Sequence, residues 1–277
     1  MLDSENQLLN NKEITSDKSS PWNKQKILIV SIIILVVLII IITLIVVFSL
    51  RDSNNDDIEE CPPLIFNSTS GNHTHTIIFM PGHSNQPEDF KNFFINRIQF
   101  SKKNDTNIVI LRSPLVYSSA MKKKDYSWFD IYKLPIDNFS VVNFEDLNRS
   151  AEVLEKFVNN EVNILNGSYE KIIVGGHSQG AAISLYKAYT SDKNYGGVFA
   201  FSGFLSPGEI KEEKRTMKVY MGYGDKDEVI LPSFINKSIE GIMGFEGLDL
   251  HIYENYTHKI SRNMSIDASI FLDNLIK

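Results

Sequence analysis

The sequence predicts an α/β fold: a doubly wound, mostly parallel sheet, preceded by a single transmembrane helix. Three observations carry that expectation. From Thr76 to the carboxyl end, short apolar runs alternate with helix-length stretches, the βα alternation of a parallel sheet. Lys171–Leu185, KIIVGGHSQGAAISL, reads as strand, sharp turn and helix. Ile27–Leu50 contains 24 residues without a charge, Gly or Pro, enough to cross a bilayer with some tilt.

Taken in order, residues 1–26 are polar and rich in Asn, Lys and Glu. They have little to bury and read as a disordered cytosolic tail. The span over 27–50 follows; it lacks the short apolar core and small-residue cleavage site of a signal peptide. Residues 51–75 are acidic, then Pro- and Ser-containing, and read as a stalk. The folded domain is expected over 76–277. Thr76–Met80 (TIIFM) and Asn107–Leu111 (NIVIL) read as strands. Between them Phe90, Phe93, Phe94 and Ile98 have the spacing of a helix over Pro87–Phe100. Phe144–Leu165 aligns Leu147, Ala151, Leu154, Val158 and Val162 on one helical face. After the central strand and its helix (Ala181–Tyr189), Gly197–Ser202, Lys218–Tyr223 and Leu250–Tyr253 read as strands. Ile266–Ile276 closes as an amphipathic helix.

The central stretch carries chemistry. Gly176-His177-Ser178-Gln179-Gly180 matches Gly-x-Ser-x-Gly, which chance supplies about 0.08 times in a chain of this composition. The apolar run before it and the small-residue helix start after it are what a nucleophile elbow requires. There the serine hydroxyl is exposed at the end of a strand, and the next N–H, that of Gln179, can face a developing oxyanion. The bland alternative is a glycine-rich βα turn with an incidental serine; neither a P-loop lysine nor Gly-x-Gly-x-x-Gly accompanies it. In the α/β-hydrolase fold the acid and then the histidine follow the nucleophile along the chain. Here Gly224-Asp225-Lys226-Asp227 ends one later strand and His258 follows the next. Ser178, Asp227 and His258 are therefore the candidate triad. Asp227 is favoured over Asp225, the first aspartate being expected to brace its turn. Each would otherwise be a solvated turn residue, as His258 would be a loop histidine. His177 and His251 are expected to be structural. His73 and His75 lack the carboxylate or cysteine partners of a metal site. The second oxyanion donor is expected from the loop after the first strand, Met80-Pro81-Gly82-His83. There the His83 N–H is the candidate, since Pro81 has none.

With these residues placed, Thr76–Lys277 resembles the acyl-protein thioesterase and small carboxylesterase/lysophospholipase family. The resemblance rests on FMPGHSN (79–85), Ser127-Trp128-Phe129-Asp130, GGHSQGAAIS (175–184), Gly224–Asp227 and Tyr253–His258. It implies a compact esterase with no metal or cofactor. Its members cleave long-chain acyl thioesters on protein cysteines and oxygen esters of lysophospholipids. It also implies substrate contacts from Trp128 and Phe129, which could equally be an aromatic core patch. The chain departs from the family in having Pro81 where His is usual, Glu228 where Pro is usual, and a membrane anchor. The rival readings are a carboxylesterase or lysophospholipase working on lipids at the membrane surface, and an inactive binding ectodomain. An intact triad disfavours the last.

Composition narrows partners and place. A net charge of −6 argues against nucleic acid. Cys61 is the only cysteine, so no intrachain disulfide and no cysteine metal site can form. Lys18, Lys24 and Lys26 precede the span, whereas Arg51 alone follows it before an acidic run. This bias keeps the amino terminus in the cytosol. The 21 asparagines after Leu50 and the 37 Ser and Thr residues among 277 give about three Asn-x-Ser/Thr triplets by chance. Nine occur, at Asn67, Asn72, Asn104, Asn138, Asn148, Asn166, Asn236, Asn255 and Asn263, and none precedes the span. The expectation is a single-pass type II membrane protein with a glycosylated lumenal or extracellular domain. The Asn255 site is set apart because a glycan there would crowd the His258 loop.

Overall fold

The computed structural model describes residues 21–53 and 62–277. Residues 1–20 of the expected tail, and residues 54–61 of the expected stalk with Cys61, lie outside the described residues. Helix α1 covers Pro21–Ser53, so residues 21–26, read as tail, are helical. Pro21 suits a first turn, where a missing N–H leaves no bond unmade. Side chains of Gln25–Thr43 are exposed on all sides, and this stretch is long and apolar enough to cross a membrane. Its two hydroxyls are satisfied within the helix: Ser31 Oγ donates to Ile27 O at 2.9 Å and Thr43 Oγ1 to Ile39 O at 2.7 Å.

The second unit is built on a seven-stranded sheet. Its strands are β1 (Leu64–Phe66), β2 (His75–Met80), β3 (Thr106–Ile110), β6 (Ile172–His177), β7 (Gly197–Phe201), β8 (Val219–Gly224) and β9 (Leu248–Tyr253). They run in the order β1-β3-β2-β6-β7-β8-β9. All neighbours are parallel except β1, which pairs antiparallel with β3. A separate hairpin, β4 (Leu115–Ser118) and β5 (Lys123–Tyr126), lies outside it.

The period-2 alternation of a strand sorts the core into two layers. On β2, Ile78 and Met80 face one layer while Ile77 and Phe79 face the other; on β7, Val198 and Ala200 oppose Phe199 and Phe201. The first layer is closed by α2 (Phe144–Ile164), α3 (Gln179–Thr190) and α4 (Pro232–Ser238). The second is closed by α5 (Arg262–Leu275) and by a phenylalanine cluster, Phe90, Phe93 and Phe94, against Phe79. Apolar cover on both faces is the condition a parallel sheet needs. Helix α2 begins at Asn143, whose side chain accepts the N–H groups of Glu145 and Asp146, a regular N-cap.

Two expectations change. The helix expected over Pro87–Phe100 is instead a 3-10 turn, Pro87–Phe90, and a π turn, Phe93–Arg97. The three phenylalanines still bury, as their spacing demands. However, Lys103 Nζ donates to the carbonyls of Phe94, Ile95 and Ile98, supplying partners that a continuing helix would have provided. The stalk over 51–75 is also too long. Leu64–Phe66 is strand β1, and Ser68 and Thr74 donate from their backbone to Asn107 Oδ1 and Asp105 O. The folded unit therefore starts well before Thr76.

Candidate active site

Ser178, Gln179, Asp227, His258 and His83 all stand beyond the carboxyl ends of parallel strands, where open α/β sheets place their sites. Ser178 links β6 to α3 with φ 56° and ψ −117°, a conformation that costs a non-glycine residue about 1–3 kcal/mol. The flanking glycines explain how the turn is held. A Cβ on Gly176 would come within 2.3 Å of the Gly180 carbonyl carbon, and one on Gly180 within 2.0 Å of Met80 O. Strand, turn and helix meet at backbone distance, so neither position has room for a side chain. The Ser178 N–H donates to Phe201 O at 2.9 Å.

The structure brings Ser178, His258 and Asp227 together. Ser178 Oγ is 2.9 Å from His258 Nε2, and His258 Nδ1 is 2.7 Å from Asp227 Oδ2. The Asp227 side chain is fully buried and that of His258 is 15% exposed. The other oxygen, Oδ1, accepts the N–H groups of Val229 and Ile230, each at 2.9 Å. With both oxygens matched, the carboxylate has one orientation. It fixes the imidazole with Nδ1–H toward Asp227 and the Nε2 lone pair toward Ser178, the tautomer a general base needs. Asp225 takes no part: its Oδ1 accepts the Asn255 N–H at 2.6 Å and its own N–H donates to Tyr253 O, bracing the loop that carries His258.

His177 supports the same loop. Its Nε2–H donates to the His258 carbonyl at 2.9 Å, with the two rings 5.0 Å apart. Burial, and then the neighbouring His258, lower its pKa to about 4. It therefore stays neutral at neutral pH and adds no second positive charge beside an imidazolium.

The two expected oxyanion donors flank the serine. Gln179 opens α3, so its N–H has no intrahelical acceptor. His83 follows β2 in a turn held by Ser84 N–H to Tyr126 O and by Trp128 Nε1–H to Pro81 O, both 2.8 Å. Trp128 and Phe129 correct the expectation of substrate contacts. They are 3% and 1% exposed, and neither lines the cleft beside Ser178. They brace it from beneath instead. Gln179 Oε1 accepts the Trp128 N–H at 3.0 Å and Gln179 Nε2 donates to Phe129 O at 2.7 Å. This clamp ties the elbow to the loop after the hairpin, a role for the Gln179 side chain that the sequence does not reveal.

The cleft itself is lined by Ser178, His83, Ser118, Ala120, Met121, Ile131, Leu134, Ile136 and Val229. Six of these are apolar, and apart from Ser178 and His83 none was anticipated. They converge from the hairpin, the loop after it and the Asp227 loop, joined by the Ala120 N–H to Ile131 O and Ile136 N–H to Val229 O bonds. The arrangement sets the Ser178 hydroxyl, bonded to His258, against an apolar wall, which suits an acyl group.

Comparison with known proteins bears on the family and the fold. The profile of a family described as Phospholipase/Carboxylesterase matches residues 64–276. Acyl-protein thioesterase 1 of Candida albicans is 34% identical over 163 residues, covering 54% of this chain and 69% of its own. Acyl-protein thioesterase 1 of Debaryomyces hansenii is 29% identical over 157 residues, 54% and 67% of the two chains. Among solved structures, Arabidopsis thaliana SOBER1 superposes with a TM-score of 0.66 at 16% identity, covering 74% of this chain and all of that one. Zea mays acyl-protein thioesterase 2 gives 0.61 at 17% identity, over 78% and 99%.

Proposed function

The chain belongs to the phospholipase/carboxylesterase family, and as a serine hydrolase of that family we propose that it cleaves long-chain acyl thioesters and esters through an acyl-enzyme on Ser178. The observation that carries this reading is the Ser178–His258–Asp227 line, with contacts of 2.9 and 2.7 Å. His258 Nε2 takes the hydroxyl proton as Ser178 Oγ attacks the carbonyl carbon. The negative oxygen so formed is met by the N–H groups of His83 and Gln179. His258 then gives the proton to the departing thiol or alcohol, and water releases the acid by the same steps in reverse. The apolar cleft accepts the acyl chain. Two of its lining residues, Met121 and Leu134, are 44% and 40% exposed, which suits a lipid-like substrate.

The experiment is turnover by the full chain in detergent. A palmitoyl-thioester peptide and a lysophospholipid are compared. Hydrolysis of the thioester is expected. Hydrolysis of the lysophospholipid alone would replace the thioesterase reading with the lipid-esterase one, and turnover of neither would overturn both.

The same reading places the enzyme in a membrane by α1, as a type II protein with its hydrolase unit in the lumen or outside the cell. The satisfied Ser31 and Thr43 hydroxyls suit a helix in lipid, and the asparagines of all nine triplets are exposed in the folded unit. This favours lumenal or extracellular acyl esters over cytosolic palmitoyl-cysteine proteins. Glycosidase treatment of the protein from its own membrane is expected to increase its mobility, with the hydrolase unit protected from protease on the cytosolic side. An unglycosylated chain digested from the cytosolic face would reverse this orientation.

A further inference from the structure

The cleft wall contains a side chain whose chemistry can change. Met121 lines the cleft with Ser178 and is 44% exposed, so a small solute in water can meet its thioether. Among the other described methionines, Met80, Met221 and Met264 are fully buried and Met217 packs against the core. Met243 is exposed, at 56%, but it lies between α4 and β9 and does not line the cleft. Cys61 is the only cysteine of the chain, so residues 62–277 offer an oxidant no thiol. The accessible sulfurs of the folded unit are therefore two thioethers, one of them in the wall of the acyl site. Backbone bonds hold that part of the wall: the Met121 N–H donates to Ser118 Oγ at 3.4 Å and the Ala120 N–H to Ile131 O at 2.8 Å. A change at the sulfur leaves both in place.

We propose that Met121 is an oxidation site through which peroxide narrows the acyl range of the enzyme, slowing hydrolysis of long-chain esters and sparing short ones. This deepens the serine-hydrolase reading and rests on it. The sulfur lone pair attacks one oxygen of hydrogen peroxide, the O–O bond breaks, and a proton shift releases water. Sulfur loses two electrons and the peroxide gains them. The product, methionine sulfoxide, is polar where the thioether was apolar. The lining residues Ala120, Ile131, Leu134 and Ile136 bring only apolar side chains. A hydrocarbon chain laid against this wall strips water from the sulfoxide oxygen and gives it no donor, which costs binding. An acyl group too short to reach Met121 meets no such penalty. The triad is unchanged, since Ser178, His258 and Asp227 bond to one another and not to Met121. Methionine sulfoxide reductase with a dithiol as reductant restores the thioether.

The test uses the full chain in peroxide-free detergent and two thioesters of one thiol, palmitoyl and acetyl. kcat/KM is measured before and after hydrogen peroxide for the wild type, Met121→Leu and Met243→Leu, and peptide mass spectrometry locates the added oxygen. In the wild type Met121 and Met243 should gain oxygen before the buried methionines. The palmitoyl value is then expected to fall by about tenfold, with the acetyl value and fluorophosphonate labelling nearly unchanged. Met243→Leu should respond as the wild type does, whereas Met121→Leu should keep its own starting palmitoyl value. Reductase treatment should return the wild type to its starting value. Comparing each variant with itself cancels any effect of the substitution on the cleft. The proposal is overturned if Met121 stays unoxidised, if palmitoyl turnover survives its oxidation, or if Met121→Leu loses as much as the wild type; each of these leaves the hydrolase reading intact. Untreated protein that hydrolyses only the acetyl thioester would show that no long chain uses the cleft, and the proposal falls with that. Untreated protein that hydrolyses neither would overturn the hydrolase reading and this one together.

Discussion

Ser178→Ala is expected to abolish labelling by a fluorophosphonate and to lower ester turnover by about 10⁴-fold or more. The elbow makes this residue irreplaceable by its neighbours. Its hydroxyl alone meets His258 Nε2, at 2.9 Å, and its positive φ comes from a turn packed at backbone distance against β2. Alanine accepts the same backbone as serine does, and Ser178 Oγ makes no other hydrogen bond in the described structure. The variant should therefore fold with unchanged thermal stability. The residual rate would come from the amide donors and the apolar cleft, which remain. A folded Ser178→Ala protein that kept most of its turnover would show that the acyl-enzyme forms elsewhere or not at all.

The features legible in the sequence are those written in a few adjacent residues. An apolar run with glycines at fixed spacing marks β6 and the elbow, and the two later strands with Asp227 and His258 at their ends follow the same local grammar. The family resemblance that these motifs carry is confirmed by the match over 64–276. What stayed hidden depends on partners distant in the chain. Leu64–Phe66 is a strand only because Ile108–Ile110 offers its open edge; three residues after two prolines carry no periodicity of their own. Lys123–Tyr126, KKDY, has the composition of a loop, yet it pairs with β4, the hairpin whose Ser118, Ala120 and Met121 line the cleft. Aromatic type marked Trp128 and Phe129 as important but could not tell a substrate contact from a buried brace; the Gln179 clamp decides that. The lysine that ends the Phe93 turn lies six residues beyond it in sequence, at Lys103.

Asp227→Asn is expected to lower kcat by about 10⁴-fold while leaving the fold in place. The hydrogen bonds around this side chain dictate why. Oδ1 accepts the N–H groups of Val229 and Ile230, and in the variant the amide oxygen must keep that position, since an NH₂ group cannot accept them. The NH₂ group then takes the place of Oδ2, 2.7 Å from His258 Nδ1. It can only donate, so Nδ1 must become the lone-pair nitrogen and Nε2 must carry the hydrogen. In that tautomer Nε2 has nothing with which to take the Ser178 proton. Asp225→Asn should behave differently. Its Oδ1 accepts one backbone N–H, from Asn255, and does not touch the imidazole; an asparagine oxygen can still accept that bond, less strongly. A loss of about 1 kcal/mol in stability and a kcat within a few-fold of wild type are expected. Circular dichroism melts and kcat measured side by side on the two variants separate the roles. If both fold and the greater kinetic loss falls at Asp225, the acid that orients His258 has been assigned to the wrong aspartate.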